Sequence, residues 1–281
     1  MRRTAFLTFA LAAVFLTATS SKAATLLQDV SVTAPDAASL QETVDRFRDD
    51  LGDLNGNVPE NLDPAGRRQI NWDAAPDGIS DPNPFPGDFF NFNADPRARG
   101  IEFRETGDTT GFLLSSTQAS GQPIEFGFDG SFTPFSEERL FAPVGGTTFD
   151  VLFFDPADQT TRATTRGLGV VFTGVDVGGI SSISVFGLGG EELATRTVPN
   201  SDEIAALSFV GLIFDQPVIS RVSITAGNRA LLGNGSFGTG ADGVVLDDFI
   251  FGEPVRPVPL PAGLALLATA LLGFAAWRRL A

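Results

Sequence analysis

The sequence predicts a mainly β fold, an antiparallel sandwich or barrel preceded by one helix. Three observations predict it. From Gly100 onward, short runs rich in Phe and β-branched residues are cut by Gly, Pro, Asn and Asp, mostly about every ten residues. Several of these runs alternate with period two; in one, Val222 and Ile224 face away from Arg221, Ser223 and Thr225. No helical period lies between the runs, which disfavours βαβ architectures, and no repeat of solenoid or propeller length is present.

Taken in chain order, residues 1–23 read as a secretory signal. Arg2 and Arg3 precede an apolar stretch, and Ser21 and Ala23 place small residues where a signal peptidase cuts, so cleavage is expected after Ala23. Residues 36–52 carry Leu40, Val44, Phe47 and Leu51 at spacings of four, three and four, the single apolar face of a helix. Ser39 and Glu42 suggest a capping box and Gly52 a stop. Residues 53–98 are punctuated by Pro59, Pro64, Pro76, Pro82, Pro84, Pro86 and Pro96, leaving room for a short strand near 69–72. Segment 24–99 is therefore expected as a helix and turn-rich stretch packing on a sandwich formed by 100–254. Strands are expected at 100–105, 111–117, 124–128, 138–143, 149–154, 168–175, 180–188, 192–198, 205–214, 219–227 and 244–251.

Segment 255–281 is a different kind of sequence. Val258, Pro259, Leu260, Pro261 and Ala262 precede an uncharged run that ends at Trp277 and is closed by Arg278 and Arg279. Residues 262–277 would extend about 24 Å as a helix, slightly short of an ordinary span, with Trp277 at the interface and the arginines snorkelling. The positive-inside rule places Arg278 and Arg279 in the cytoplasm and the acidic domain outside.

This tail closely resembles the VPLPA-type variant of the PEP-CTERM sorting signals, which comprise a short Pro-containing motif, a transmembrane helix and a terminal Arg cluster. The resemblance implies export through the secretion translocon, transient anchoring in the inner membrane, cleavage near the motif by an exosortase-type transpeptidase, and transfer to the cell surface. Several stretches of the middle are also similar to a family of exported bacterial proteins of unassigned activity. They are residues 67–73 around Trp72, 138–141, 165–172, 207–211, and Asp247-Asp248-Phe249-Ile250 with the following Gly252-Glu253-Pro254. That likeness spans most of 40–254 and implies a single jelly-roll-like sandwich with no known reaction.

Composition narrows the chemistry. Among 281 residues there is no Cys, His or Tyr, and Lys22 is the only Lys. Thiolate nucleophiles, disulfides, Cys-ligated metals, Ser-His pairs and imidazole bases are all excluded. Arg2, Arg3, Lys22, Arg278 and Arg279 account for the cations of the two ends, and all 34 carboxylates lie between them. That middle carries a strongly negative charge on an arginine-only background, which repels nucleic acid and suits oxygen-ligated Ca²⁺. The 22 Phe of the middle, which are the 26 of the chain less Phe6, Phe9, Phe15 and Phe274, are expected to fill the sandwich core.

The candidate sites follow from oxygen ligands. Asp53-Leu54-Asn55-Gly56-Asn57 begins like a Ca²⁺ loop, but Pro64 stands where the bidentate Glu of an EF-hand is needed, so an Asx-rich turn is expected. The segment 238–244 resembles one copy of a tandem Ca²⁺ repeat and, lacking further copies, reads as a loop. The formal G-x-G-x-x-G at Gly233, Gly235 and Gly238 lacks a following helix, so no dinucleotide site is expected. Asp247 and Asp248 are the most informative pair. On a regular strand they point to opposite faces, so that one looks toward the core; Ca²⁺ at the sandwich edge, a salt bridge or a turn cap would each relieve it. Asp73, beside Trp72, is a weaker metal candidate. Asn71, Asp73 and Arg68 are candidate sugar readers, and Trp72 the one platform the middle offers. The function expected is that of an exported, surface-sorted, non-enzymatic envelope or matrix protein, with exopolysaccharide as a partner. The alternative is a Ca²⁺-dependent carbohydrate-binding module.

Overall fold

The computed structural model describes residues 23–231 and 240–257, and residues 24–257 form one compact unit. Residues 1–22 of the expected signal, the sorting motif 258–262, the expected span 262–277, Arg278 and Arg279 lie outside the described residues, as does 232–239. Among the described residues no helix is long and apolar enough to cross a membrane.

Among the described residues the fold has twelve strands and one α-helix, besides two single-turn 3-10 helices: β1 (Leu26–Ala34), α1 (Ala37–Leu51), β2 (Arg67–Ile70), β3 (Ile101–Glu105), β4 (Gly111–Leu114), β5 (Phe141–Val144), β6 (Thr148–Phe153), β7 (Gly167–Thr173), β8 (Ser182–Phe186), β9 (Glu192–Thr197), β10 (Leu207–Phe214), β11 (Arg221–Thr225) and β12 (Val245–Gly252). They form two antiparallel sheets. The larger has the order β1-β10-β7-β12-β5-β4, with β2 also paired to β12; the smaller has the order β3-β6-β11-β8-β9. Strands β5 to β12 cross between the sheets at every connection except β8 to β9. They give the four-strand orders β5-β12-β7-β10 and β6-β11-β8-β9, the connectivity of a jelly roll. The strands β1, β3 and β4 extend that frame at its edges, and β2 pairs with the inner strand β12 beyond the point where β5 leaves it.

The main core lies between the sheets and draws on β2 to β12, with Phe103, Phe141, Phe149, Phe172, Phe249 and Phe251 among its fully or nearly fully buried members. A second core lies on the outer face of the larger sheet, where Leu40, Val44, Phe47 and Leu51 of α1 pack on Val171, Leu207, Phe209, Ile213 and Ile250. Room for Phe47 comes from glycines in the two central strands beneath it: a Cβ at Gly169 or Gly211 would stand 2.6 or 2.5 Å from its ring. Phe47 meets Phe209 edge-on at 5.2 Å, a favoured aromatic geometry.

Three local expectations are corrected. The helix is capped by Asp36, whose side chain accepts from Ser39 N at 2.8 Å, so Ser39 sits inside the first turn and is not the cap. The expected strand 124–128 is a series of turns, because Phe126, Gly127 and Gly130 all take positive φ, which a strand cannot accommodate. Segment 24–99 does more than pack on the sandwich, since β1 and β2 are both strands of the larger sheet.

Candidate functional site

The site is built on an irregularity of β12. Its pairing with β7 shifts register between Leu246 and Phe249. On its other edge the partner changes at the same place: Leu246 pairs with Phe141 of β5, and Phe249 with Ile70 of β2. The two residues of the bulge are Asp247 and Asp248. Leu246 and Phe249 both enter the inter-sheet core, and both carboxylates turn to the opposite face, beside α1. A bulge places two consecutive side chains on one side of a strand, which period-two alternation forbids. The expectation that the pair points to opposite faces is thereby corrected.

Both acids are buried, at 0% and 1% exposure. Asp247 Oδ2 accepts from Phe135 N at 2.6 Å and Ser136 N at 3.2 Å, capping the turn that crosses this face. Asp248 Oδ2 accepts from Arg48 Nη2 of α1 at 2.6 Å. Between the carboxylates stands the Ser136 hydroxyl, 3.1 Å from Asp247 Oδ1 and 2.7 Å from Asp248 Oδ1. A hydroxyl has one proton, and the shorter contact is to Asp248. Arg48 stabilises the charge on Asp248. Of the two acids, Asp247 is the one with no facing cation among the described residues. Burial, with the Asp248 charge adding to it, pushes Asp247 well above the usual carboxylate range; burial also raises Asp248, against the pull of Ser136 and Arg48.

Asp73 belongs to the same neighbourhood. It is half-buried, its Oδ2 accepts from Asn71 Nδ2 at 2.6 Å, and burial raises its pKa to about 6, with the Asp248 charge contributing. The turn that carries it follows β2 and is held by Trp72, which has φ 68°. The Trp72 Nε1 donates to Asp247 O at 2.8 Å, satisfying a carbonyl exposed by the bulge. Its ring stacks on Phe141 at 4.5 Å and is 1% exposed, so it is core and presents no open face to a sugar. Arg68, the third sugar reader suggested by sequence, is fully buried. Its Nε lies 2.6 Å from Glu253 Oε2 and its Nη2 2.7 Å from Glu253 Oε1. It fastens the turn-rich segment to the end of β12.

The structure thus gathers Asp247, Asp248 and Asp73 into one region. Of the relief mechanisms open to the buried pair, the side chains adopt the ion pair and the turn cap; Ca²⁺ there would have to displace Arg48. Among the described residues, no group of three or more acidic side chains is placed to hold a metal. The Asp53–Asn57 stretch is a turn in which Asn55 Nδ2 donates to Asp63 O and Glu253 Oε2. Sequence reasoning overlooked Arg48, Ser136 and Arg139. Arg48 had a signal, since it lies four residues after Val44 on the margin of the apolar face. Ser136 and Arg139 had none, because only the folded chain brings them to β12 and to Asp73.

No protein-family model matches the chain, and no curated protein matches it. Among solved structures, a family 43 arabinoxylan arabinofuranohydrolase from Bacillus subtilis is similar at 12% identity, covering 52% of this chain and 25% of that one, with a TM-score of 0.28. The tailspike protein 4 of bacteriophage CBA120 is similar at 13% identity over 69% of this chain and 22% of that one, with a TM-score of 0.27. The lectin binding domain of lectinolysin is similar at 10% identity over 55% of this chain and 99% of that one, with a TM-score of 0.24. The match spans about a quarter of the hydrolase. Likeness at this level carries no argument about function.

Proposed function

We propose that this chain is an exported, surface-sorted, non-enzymatic protein of the cell envelope or extracellular matrix, processed near 258–262 by an exosortase-type transpeptidase. The observation that carries the reading is the tail: Val258 to Ala262, an uncharged run, and Arg278-Arg279, in that order. One feature of the domain supports it. The chain is fastened just before the motif: Val255 pairs with Thr164, and Arg256 forms ion pairs with Asp155 and Asp158. The non-enzymatic part is supported by the absence of His, Cys and Tyr, and by the bulge acids, whose oxygens are occupied by Arg48, Ser136 and the backbone.

The test is replacement of Arg278 and Arg279 by Ala in the producing cell, followed by fractionation and protease accessibility of intact cells. The precursor is expected to be trapped in the membrane fraction or misrouted. Surface display at the wild-type level would remove the proposal.

A further inference from the structure

A cavity of about 120 Å³ opens between the turn after β2 and the loop that leads to β3. Ala74, Pro76 and Pro96 form an exposed rim, while Trp72, Ala75, Phe90 and Arg99 form a buried floor. Arg99 is 7% exposed. It is held by Nε donating to Pro96 O at 3.2 Å and Nη1 to Gln69 O at 2.7 Å, with its guanidinium carbon 4.5 Å from the Phe90 ring centre. Arg97, also on the cavity wall, has its guanidinium between Phe89 at 4.0 Å and Phe92 at 4.1 Å, and its Nε donates to Phe89 O. Both arginines thus rest on aromatic faces and backbone carbonyls, and neither forms an ion pair among the described residues. The nearest other buried cation, Arg68, is already neutralised by Glu253.

A buried guanidinium with no counter-charge in direct contact is unfavourable unless something supplies one. The carboxylate of exposed Asp95 acts on Arg99 without forming an ion pair with it. In so acidic a domain, two arginines on one cavity outside any ion pair among the described residues are the feature to explain. Burial, with the charge of Arg68 adding to it and that of Asp95 opposing it, lowers Arg99 to about 10, so it keeps its charge at neutral pH. The Nη1 and Nη2 donors of Arg97 and the Nη2 of Arg99, which are not spent on the backbone carbonyls, suit a carboxylate, and the walls of Trp72, Phe89, Phe90 and Pro96 suit a compact, weakly polar body. The volume admits an acid group and a few attached atoms, leaving the rest of a larger molecule outside.

We propose that this cavity binds a carboxylate, with Arg99 and Arg97 as its ligands, borne either by a small free acid or by a uronic acid unit of an acidic polysaccharide. The polysaccharide source rests on the surface location proposed above; the site itself does not.

The test is titration calorimetry of the full chain, purified in detergent, with acetate, galacturonate, oligogalacturonate and a neutral galactose oligomer. Carboxylated probes are expected to bind and the neutral oligomer not. Galacturonate and its oligomer binding more tightly than acetate identifies the sugar acid; equal affinity for all three identifies the free carboxylate. Arg97→Gln, on a half-exposed side chain, is expected to weaken binding about tenfold or more. Arg99→Lys, which keeps charge and loses the fork, is expected to weaken it as well, with the unfolding transition as a check that the variant is folded. No binding of any carboxylated probe at millimolar concentration overturns the proposal. So does equal binding of the neutral oligomer, or an Arg97→Gln protein that binds as wild type. Because the measurement uses purified protein, its failure leaves surface sorting untouched, and failed sorting leaves the site untouched.

Discussion

Replacement of Asp73 by Asn should stabilise the protein at neutral pH and leave it unchanged in acid. Burial raises this carboxyl from 3.8 to about 6, even though backbone donors from Arg139 and Glu138 favour its charged form. Between those two pH values the folded chain holds a proton that the unfolded chain has lost. Stability contributed by that proton is complete below about pH 4 and is lost as pH rises through about 6. A gap of about two units corresponds to about 3 kcal/mol, and solvent screening of a partly exposed side chain reduces this to about 1–2 kcal/mol. Asn is neutral at every pH, can still accept from Arg139 N, and can pair with Asn71 by turning one amide. Urea unfolding of wild type and Asp73→Asn, measured from pH 4 to pH 8, isolates the effect, because other titrating groups cancel in the difference. The curves should coincide near pH 4, and the variant should be more stable by about 1–2 kcal/mol at pH 7.5. A difference that stays constant with pH would refute the assignment of the raised pKa to Asp73.

Two further outcomes follow from the same region. Arg48→Met removes the cation facing the buried Asp248 and should destabilise by about 3–5 kcal/mol at pH 8. The loss should shrink as pH falls, because without Arg48 burial favours the protonated form of Asp248 more strongly still; equal losses in urea at pH 5 and pH 8 would show that Arg48 acts by packing alone. Gly211→Ala places a Cβ 2.5 Å from Phe47 and should lower stability by about 1–3 kcal/mol, with Phe47→Leu restoring part of it in thermal unfolding. An unchanged melting temperature would show that α1 is not seated as described.

The helix and most strands were legible in sequence because their signals are local. Four apolar residues at helical spacing can bury one stripe only as a helix, and α1 appears within a residue of its expected ends. Strand β1 was missed although its exposure alternates, since Gln28, Asp29, Ser31 and Thr33 give it the polarity of an edge and its place beside β10 is set more than 170 residues away. Trp72 read as a candidate platform and is core, because the Phe residues that enclose it come from β3, β5, β12 and the 85–90 loop.

Sequence by itself determined the alphabet of available chemistry, the acidity of the middle and the β character of the domain. Each of these depends on composition or on order over a few residues. Tertiary structure decided how Asp247 and Asp248 are used. Nothing in Leu246-Asp247-Asp248-Phe249 announces a bulge; it exists because β12 exchanges β5 for β2 at that point while shifting against β7. The same long-range pairing sets Arg48 and Ser136 against the two acids and leaves Arg97 and Arg99 around a cavity. Burial and counter-charge are properties of what surrounds a side chain, and those surroundings form only when distant segments meet.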